Sequence, residues 1–568
     1  MIQMPNALKT ILSIAACACC AGLFGQQSKI LSEEKISAAE FVERNRDLKK
    51  AAESLVNSAV AEYESRGGDL GLAEEKLWYG NFLARLGESG AKFPDPLLEL
   101  FASDAELTVE LARTLSESDN IPAAFKILRD IYADSPADFA EFSRLACAIA
   151  IVFDTPAPKS WPHLQVSPKI LKRDMGDPVK AFRTHIDSRR RGKFLLKTEK
   201  LQIEELKYLV ASLAGDADRD WVFKNATVTI HTLPKLYSSV EYNRGRINAK
   251  QFDWPGTDYS LRSIKKSGGI CVDQAYYAAE AAKIRGLPAF IFSGAGSDGF
   301  HAWVAYMQKS GKWNFDVGRY EGAKFVTGRT LDPQTWKPAS DHALNSMREA
   351  FRESQKYRTN LIHAAFAKLY ADSGDFAKSE KAARAAIASD PRNAEAWDAL
   401  IFALEKSKAG RKAEIDAHQS AVKAFGRYPD VEAQYRLRLI KLVEGEDPAL
   451  ARRISAQMIS KTKTQRPDIA MEFARKAVEK DIESDNLDKL DANYKTLLGM
   501  FKGNAAIAVN GITIPVLNKL IKEDKIQKCD AIIKATRQVL KTKSDSNVGA
   551  ALDSIESQVE AIKSRLQK

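Results

Sequence analysis

Three side chains near the middle of the sequence have the types and the order that nucleophilic catalysis requires. Cys271 follows two glycines in GGICVDQAYYAAEAAKIRGLPAF, residues 268–290, and stands in the first turn of a predicted helix. The partial positive charge and the unpaired N–H groups of a helix N-terminus favour a thiolate, so we expect a lowered thiol pKa there. His301 begins HAWVAYM and Asp316 lies in WNFDVG, two segments that alternate like β-strands.

The sequence around these residues predicts the elements that position them. A helix is expected from Cys271 to Arg285, and Gly286 is a helix-ending residue. Four small side chains would form its packing face: Ala275, Ala278, Ala279 and Ala282. QKSGK predicts a hairpin turn, so His301 and Asp316 should lie on adjoining antiparallel strands. Asp316 would then orient the imidazole that accepts the thiol proton, as in a catalytic triad.

These motifs together resemble the transglutaminase-like superfamily, whose core has a papain-like fold. The family pattern is a Gly-x-Cys at a helix start, an Arg-x-x-Gly-[Leu/Ile]-Pro-Ala exit, a His-Ala-Trp strand and an aspartate after a Gly-x-Trp strand. GGICVDQAYYAAEAAKIRGLPA, GFHAWVAYM and GKWNFDVG carry it here, although Arg285 stands directly before Gly286 and not further upstream. The resemblance is close over 260–320, looser over 165–340, and does not cover the flanks.

The resemblance implies a role for each of the three residues. Cys271 would be the nucleophile, His301 the base or ion-pair partner, and Asp316 the orienting residue. The backbone N–H of Cys271 and one upstream donor would hold the oxyanion, with Gln251 and Trp254 in QFDWPGTDY as the candidates. The sequence contains no HExxH, no paired CxxC, no calcium loop and no phosphate-binding glycine motif, so we expect neither a metal nor a cofactor.

The first 25 residues have the features of a secretory signal. An apolar run, TILSIAACACCAGLFG, follows a short start that carries one lysine and gives way abruptly to QQSKILSEEK. Such a signal would export the chain to the periplasm or the outside of the cell, with cleavage after Ala21 or Gly25. The stretch that ends at Cys17 also resembles a bacterial lipoprotein box, so a lipid-anchored form is the alternative.

Removal of this signal would leave three cysteines, and that number excludes a disulfide scaffold. Cys147, in LACAIAIVF, is predicted to be a core residue, whereas Cys529 lies in a lysine-rich helix without a motif. The net charge of +11 is spread over many helices. The densest basic run, residues 189–193, lacks interleaved aromatic residues, so we favour a solvated face and expect no nucleic-acid partner.

Changes of pattern along the chain divide it into five parts. Helical periodicity up to residue 153 gives way to a proline-rich stretch and then to the strand-like segments ATVTIHTL, AFIFSG, HAWVAYM and KWNFDVG. The expected fold is an α+β papain-like core flanked by all-α helical-repeat regions. The predicted parts are a signal (1–25), an N-terminal helical region (26–153), a linker (154–164), the transglutaminase-like domain (165–345) and a repeat region (355–568).

The start of the last part resembles a tetratricopeptide repeat. The first unit has four residues at the expected offsets, Tyr370, Gly374, Ala386 and Pro391. The second, degenerate unit has three, Trp397, Leu400 and Ala413. Ser379 and the lack of a proline that closes the second unit depart from the pattern. Divergent helices to residue 568 would complete a curved solenoid, with a generic helical bundle as the alternative.

The leading hypothesis is an exported, cysteine-dependent acyl-transfer enzyme. A thioester on Cys271 would be resolved by an amine in crosslinking, or by water in deamidation or amide and peptide hydrolysis. The substrate would be a protein or peptide, and the helical repeats would bind protein partners. One alternative is a non-catalytic protein-binding scaffold with an inactive transglutaminase-like module. Another is a cell-envelope peptidase that acts on short cross-linking peptides.

Overall fold

The computed structural model is mostly helical, with one small five-stranded antiparallel sheet. The coarse expectation of an α+β part flanked by helical regions is compatible with this architecture. In the described part of the chain, no helix combines the length and the apolar character needed to cross a bilayer. The predicted signal, including Cys17, lies outside the described residues, which are 28–296, 299–319, 325–483, 487–542 and 546–566.

The chain is helical from residue 29 to residue 153, as the apolar periodicity predicts. Leu77, Phe82, Leu83 and Leu86 recur at helical spacing, and all four are buried. The helices of this region are α1 (Lys29–Glu34), α2 (Ala38–Arg44), α3 (Leu48–Glu64), α4 (Leu70–Ser89), α5 (Asp95–Ser103), α6 (Ala105–Thr114), α7 (Ile121–Asp134), α8 (Pro136–Glu141) and α9 (Ser143–Phe153).

A second group of helices leads to the sheet. It ends with the predicted Cys271 helix, whose 14 residues are all buried. The group comprises α10 (Pro178–Arg190), a 3-10 turn (Thr198–Lys200), α11 (Ile203–Val210), α12 (Asp216–Asn225), α13 (Leu233–Ser239), α14 (Arg244–Asn248), α15 (Leu261–Ser267) and α16 (Cys271–Ile284).

One predicted strand is wrong. ATVTIHTL, residues 226–233, forms a turn that leads directly into α13. The side chains of Thr229 and Thr232 each accept a hydrogen bond from the other residue's backbone N–H, and Pro234 occupies the first turn of the helix. Local bonds of this kind replace the strand ladder that the β-branched residues favour.

The other three strand segments form the sheet, together with two strands that the sequence did not predict. The strands are β1 (Ala289–Gly296), β2 (Gly299–Lys309), β3 (Lys312–Val317), β4 (Phe325–Leu331) and β5 (Pro338–Ala339). Their order in the sheet is β3-β2-β1-β4-β5. The predicted hairpin is confirmed, because β2 and β3 are antiparallel neighbours with Lys309 opposite Lys312. The strands therefore follow α16 closely along the chain, in the region where the site residues were expected.

The chain divides into two compact units. The first contains residues up to 292 together with 302–318 and 330–339, and its core includes α16, Ala302, Val304 and Val317. The proline-rich segment 154–164 packs within this unit, since Trp161 meets Trp336 edge to face with 5.3 Å between ring centroids.

The second unit contains residues 293–301, 319–329 and 340–568. Its helices are α17 (Asp341–Ser346), α18 (Gln355–Asp372), α19 (Phe376–Ser389), α20 (Ala394–Lys406), α21 (Arg411–Ala424), α22 (Pro429–Val443), α23 (Pro448–Thr462), α24 (Pro467–Glu483), α25 (Leu487–Gly499), α26 (Ala505–Ala508), α27 (Ile514–Lys522), α28 (Cys529–Leu540) and α29 (Asn547–Leu566). Short 3-10 turns (Ala350–Glu353, Lys502–Asn504, Ile526–Lys528) and a π-helical turn (Val509–Thr513) join some of them.

Buried amides join the first helices of the predicted repeat region. Asn360 in α18 donates to the carbonyls of Ala386 and Asp390, and Asn393 donates to the side-chain oxygen of Asn360. Ser379, the residue that departs from the repeat pattern, is fully buried and donates to the carbonyl of Ala367. The departure is therefore accommodated by a hydrogen bond between α18 and α19.

Candidate functional site

Two glycines bring the chain to the head of α16 in a conformation that other residues would disturb. Gly268 has φ +70°, and a Cβ there would lie 2.7 Å from the carbonyl oxygen of Glu241. A Cβ on Gly269 would overlap the side chain of Asp273. Gly269, which precedes Cys271 by two residues, also forms a parallel β-bridge with Tyr242. The glycine pair noted in the sequence thus allows the close approach that places Cys271 at the helix start.

The Cys271 thiol is almost buried, with 9% of the residue exposed. Burial raises its pKa, while the backbone N–H groups of Ala302, Val272 and Cys271 itself lower it by hydrogen bonding. The negative charge of Asp273 adds to the upward shift. The net shift is upward, so the expectation of a lowered thiol pKa is wrong: the N–H groups act as predicted, but desolvation outweighs them.

A buried ion pair fixes the first turn of α16. The Asp273 side chain is fully buried, accepts from the backbone N–H of Ile270 at 2.8 Å, and pairs with the guanidinium of Arg246 at 2.7 Å. Arg246 is 5% exposed and also donates to the carbonyls of Phe252 and Asp253. One arginine therefore ties the helix head to the loop 251–253.

The second oxygen of Asp273 extends this network to the segment predicted as a linker. It accepts from the hydroxyl of Tyr259 at 2.7 Å, and that hydroxyl lies 2.9 Å from Nε2 of His163. Burial, followed by the positive charges of Arg173 and Arg246, lowers the pKa of His163 to about 3. His163, for which the sequence suggested no role, is thus a neutral member of the network behind the candidate nucleophile.

His163 and His185 make stability sensitive to acid. Both are buried, and burial lowers the pKa of His185 to about 4. Because both folded pKa values lie below 6.5, the unfolded chain binds these protons first. The stabilisation is complete above about pH 6.5 and is lost as the pH falls towards the folded values, by up to about 1.4 kcal/mol per pH unit and histidine. We expect the Tm to fall from pH 6.5 to pH 5, and His163→Gln to flatten this decline in thermal unfolding. An unchanged slope would count against the assignment.

His301 and Asp316 lie on the two strands where the sequence placed them. His301 is buried near the start of β2, whereas Asp316 is exposed near the end of β3. Val304 pairs with Val317 in this antiparallel hairpin, so Asp316 lies opposite the part of β2 that follows Val304. His301 lies on the other side of Val304, three residues before it. This register does not by itself bring Asp316 to the level of His301, and its orienting role stays a prediction.

The two candidate oxyanion donors differ in what they already bind. The indole N–H of Trp254 donates to the carbonyl of Asp258 at 2.9 Å, and Trp254 is buried. Gln251 is exposed, and its backbone N–H and carbonyl are both bonded to Arg246. The indole N–H of Trp254 thus already has an acceptor, and the choice of oxyanion donor stays a prediction.

Tyr237 contacts the backbone next to His301, and sequence reasoning missed this residue. Its hydroxyl donates to the carbonyl of Ala302 at 2.8 Å, and the backbone N–H of Ala302 lowers the pKa of the Cys271 thiol. The same ring fills the space beside Gly318, where a Cβ would lie 2.6 Å from three ring atoms. Gly318 directly after β3 is visible in the sequence as a residue that permits close approach. Its aromatic neighbour Tyr237 lies 81 residues upstream, in a segment without a motif.

The other two cysteines lack such an environment. Cys147 is fully buried, and burial raises the pKa of its thiol, in agreement with its predicted core position. Cys529 is also fully buried and, like Cys271, is the first residue of a helix, with its pKa raised to about 11 mainly by burial. A cysteine at a helix start therefore occurs twice in the described chain, and Cys529 offers a natural control.

Comparison with known proteins gives no assignment. No family model, no curated protein and no solved structure matches this chain.

Proposed function

We propose that the chain is an exported, cysteine-dependent acyl-transfer enzyme with a papain-like, transglutaminase-like core. The observation that carries the proposal is the position of Cys271 as the first residue of α16, where the backbone N–H groups of Ala302, Val272 and Cys271 lower the pKa of its thiol against the effect of burial. Donors of this kind stabilise negative charge at a nucleophile in a site with little water. Ala302 directly follows His301, the proposed base.

In the proposed reaction, His301 takes the thiol proton as the sulfur of Cys271 attacks an amide carbonyl carbon. The carbon–nitrogen bond breaks, the leaving amine takes the proton back, and a thioester remains on the sulfur. An amine or water then attacks the thioester and restores the thiol. Because burial raises the pKa of the thiol, the proposed scheme assigns removal of the proton to a base at the moment of attack. Asp316 is the proposed orienting residue, and Gln251 or Trp254 the proposed oxyanion donor.

The helices after residue 355 are proposed to be tetratricopeptide-like repeats that bind protein partners or present the substrate. Support comes from the consecutive helices α18 to α21, which form two helix pairs. Four residues of the repeat pattern are buried in them: Tyr370, Ala386, Trp397 and Leu400. The signal-like N-terminus supports an extracytoplasmic location, with a lipid anchor at Cys17 as the alternative form.

The raised pKa of Cys271 gives weight to a second candidate function, a protein-binding scaffold with an inactive central module. In that case Cys271 is a packed core thiol, and the helical repeats are the working part. The two candidates differ in the reactivity of one sulfur atom, which an alkylation experiment measures directly.

We expect iodoacetamide to modify Cys271 at least about tenfold faster than Cys529 at neutral pH, because N–H donors and a base stabilise only the first thiolate. Mass spectrometry of peptides would follow Cys147, Cys271 and Cys529 separately, in the wild type and in a His301→Ala variant. The variant should slow Cys271 alone. Equal rates at all three cysteines, or a rate at Cys271 that does not depend on His301, would favour the scaffold.

A further inference from the structure

We propose that Tyr237 is a positioning residue that holds the backbone of Ala302 in place beside the sulfur of Cys271. The proposal rests on the proposed function, since it assigns Tyr237 a part in preparing that nucleophile. Tyr237, Ala302 and Cys271 belong to one buried cluster within the first compact unit. Tyr237 does not contact the reacting atoms in this proposal and acts through Ala302.

The argument begins with the two polar groups of Ala302. Its carbonyl accepts the Tyr237 hydroxyl at 2.8 Å, and its N–H acts on the Cys271 thiol by lowering the pKa. Both groups flank the same Cα atom, so the hydroxyl restricts the backbone orientation that aims the N–H. Without the hydroxyl, a buried carbonyl loses its partner, and the start of β2 gains freedom to turn away.

The Tyr237 ring makes a second contact, with the chain that leaves β3. Gly318 has φ +81°, and a Cβ there would lie 2.6 Å from three atoms of the ring. Gly318 follows Asp316 by two residues, and Ala302 follows His301 by one. One side chain on α13 thus sets the backbone next to both residues that are proposed to assist the thiol.

The test is the pH dependence of Cys271 alkylation by iodoacetamide, measured in the full chain. Tyr237→Phe keeps the ring and removes the hydroxyl. We expect the rate at pH 7 to fall about three- to tenfold and the midpoint of the pH profile to move upward, because the thiolate loses a well-aimed donor.

Tyr306→Phe is the matched control. Tyr306 lies on β2, the strand that contains Ala302. It is buried, and its hydroxyl donates to the carbonyl of Ile230 at 2.9 Å. Tyr237→Phe loses a buried hydrogen bond, and Tyr306→Phe loses a partly buried one together with a long contact from Gln308 at 3.5 Å, so each should lower the Tm by a small amount. Tyr306→Phe should leave the alkylation rate within about twofold and the pH midpoint unchanged.

Three outcomes separate the proposals. A reactive wild-type Cys271 with the same pH profile in both variants overturns the role of Tyr237 and leaves the proposed function intact. An unreactive wild-type Cys271 overturns both. A shift in Tyr237→Phe alone supports both, and Gly318→Ala, whose Cβ would lie 2.6 Å from three atoms of the ring, should then shift the midpoint in the same direction.

Discussion

Replacement of Cys271 by alanine is expected to abolish acylation of the protein, with a loss of at least about 1,000-fold in rate. A suitable probe is p-nitrophenyl acetate, an activated ester that does not require knowledge of the natural substrate. The sulfur of Cys271 would attack the ester carbonyl, p-nitrophenolate would leave, and an acetyl thioester would remain. Release of the coloured product and the mass of the acetylated peptide report the same step independently.

Cys529→Ala is the control for this prediction. It removes another buried thiol from the first position of a helix, so general effects of losing such a thiol appear in both variants. The Tm of Cys271→Ala should stay within a few degrees of the wild type, because only one sulfur atom is lost. Full acylation in Cys271→Ala, or a large drop in its Tm without loss of acylation, would refute the nucleophile assignment.

The same probe distinguishes the two ways of resolving the thioester. With methylamine present, a transferase releases N-methylacetamide, and a hydrolase releases acetate. The ratio of these products separates the crosslinking hypothesis from the peptidase and deamidase hypotheses. Neither the fold nor the thiol environment selects between them.

Replacement of Arg246 by methionine is expected to destabilise the first compact unit by about 3–5 kcal/mol. Arg246 is 5% exposed and Asp273 fully buried, so the variant leaves a buried carboxylate without its cation. The freed carbonyls of Phe252 and Asp253 add to the cost. Urea unfolding monitored by circular dichroism measures the effect.

Two further variants make this prediction specific. Arg190→Met breaks exposed pairs with Asp138 and Glu141 and should cost less than about 1 kcal/mol. In the double variant Arg246→Met, Asp273→Asn, the buried charge is gone, so part of the loss should return. If Arg246→Met costs no more than Arg190→Met, the ion pair does not stabilise the head of α16.

Local sequence signals were sufficient for the elements that hold the site. The glycine pair, the alanine-rich face and Gly286 predicted the helix whose bounds the structure gives as Cys271–Ile284. QKSGK predicted the β2–β3 hairpin. ATVTIHTL failed because side-chain hydrogen bonds of two threonines compete with strand pairing. β5 has only two residues and exists through its pairing with Thr330 and Leu331, which no local pattern reveals.

The interior of the site was less accessible to sequence reasoning because it depends on contacts distant along the chain. Arg246 and Asp273 are 27 residues apart, and His163 and Tyr259 are 96 apart. The direction of the Cys271 pKa shift was mispredicted for the same reason. A helix start is visible in a sequence, but the degree of desolvation depends on everything that packs over the thiol.

The short segment 330–339 has a consequence for how this protein is made. Gln334 donates to the carbonyl of Thr114 and to the carboxylate of Asp119, more than 200 residues earlier, and Asp332 pairs with Lys207. On the ribosome, the N-terminal helices are therefore complete long before the residues that close their surface emerge. The nascent chain finishes its first compact unit only after the whole of α16 and the β2–β3 hairpin have been synthesised.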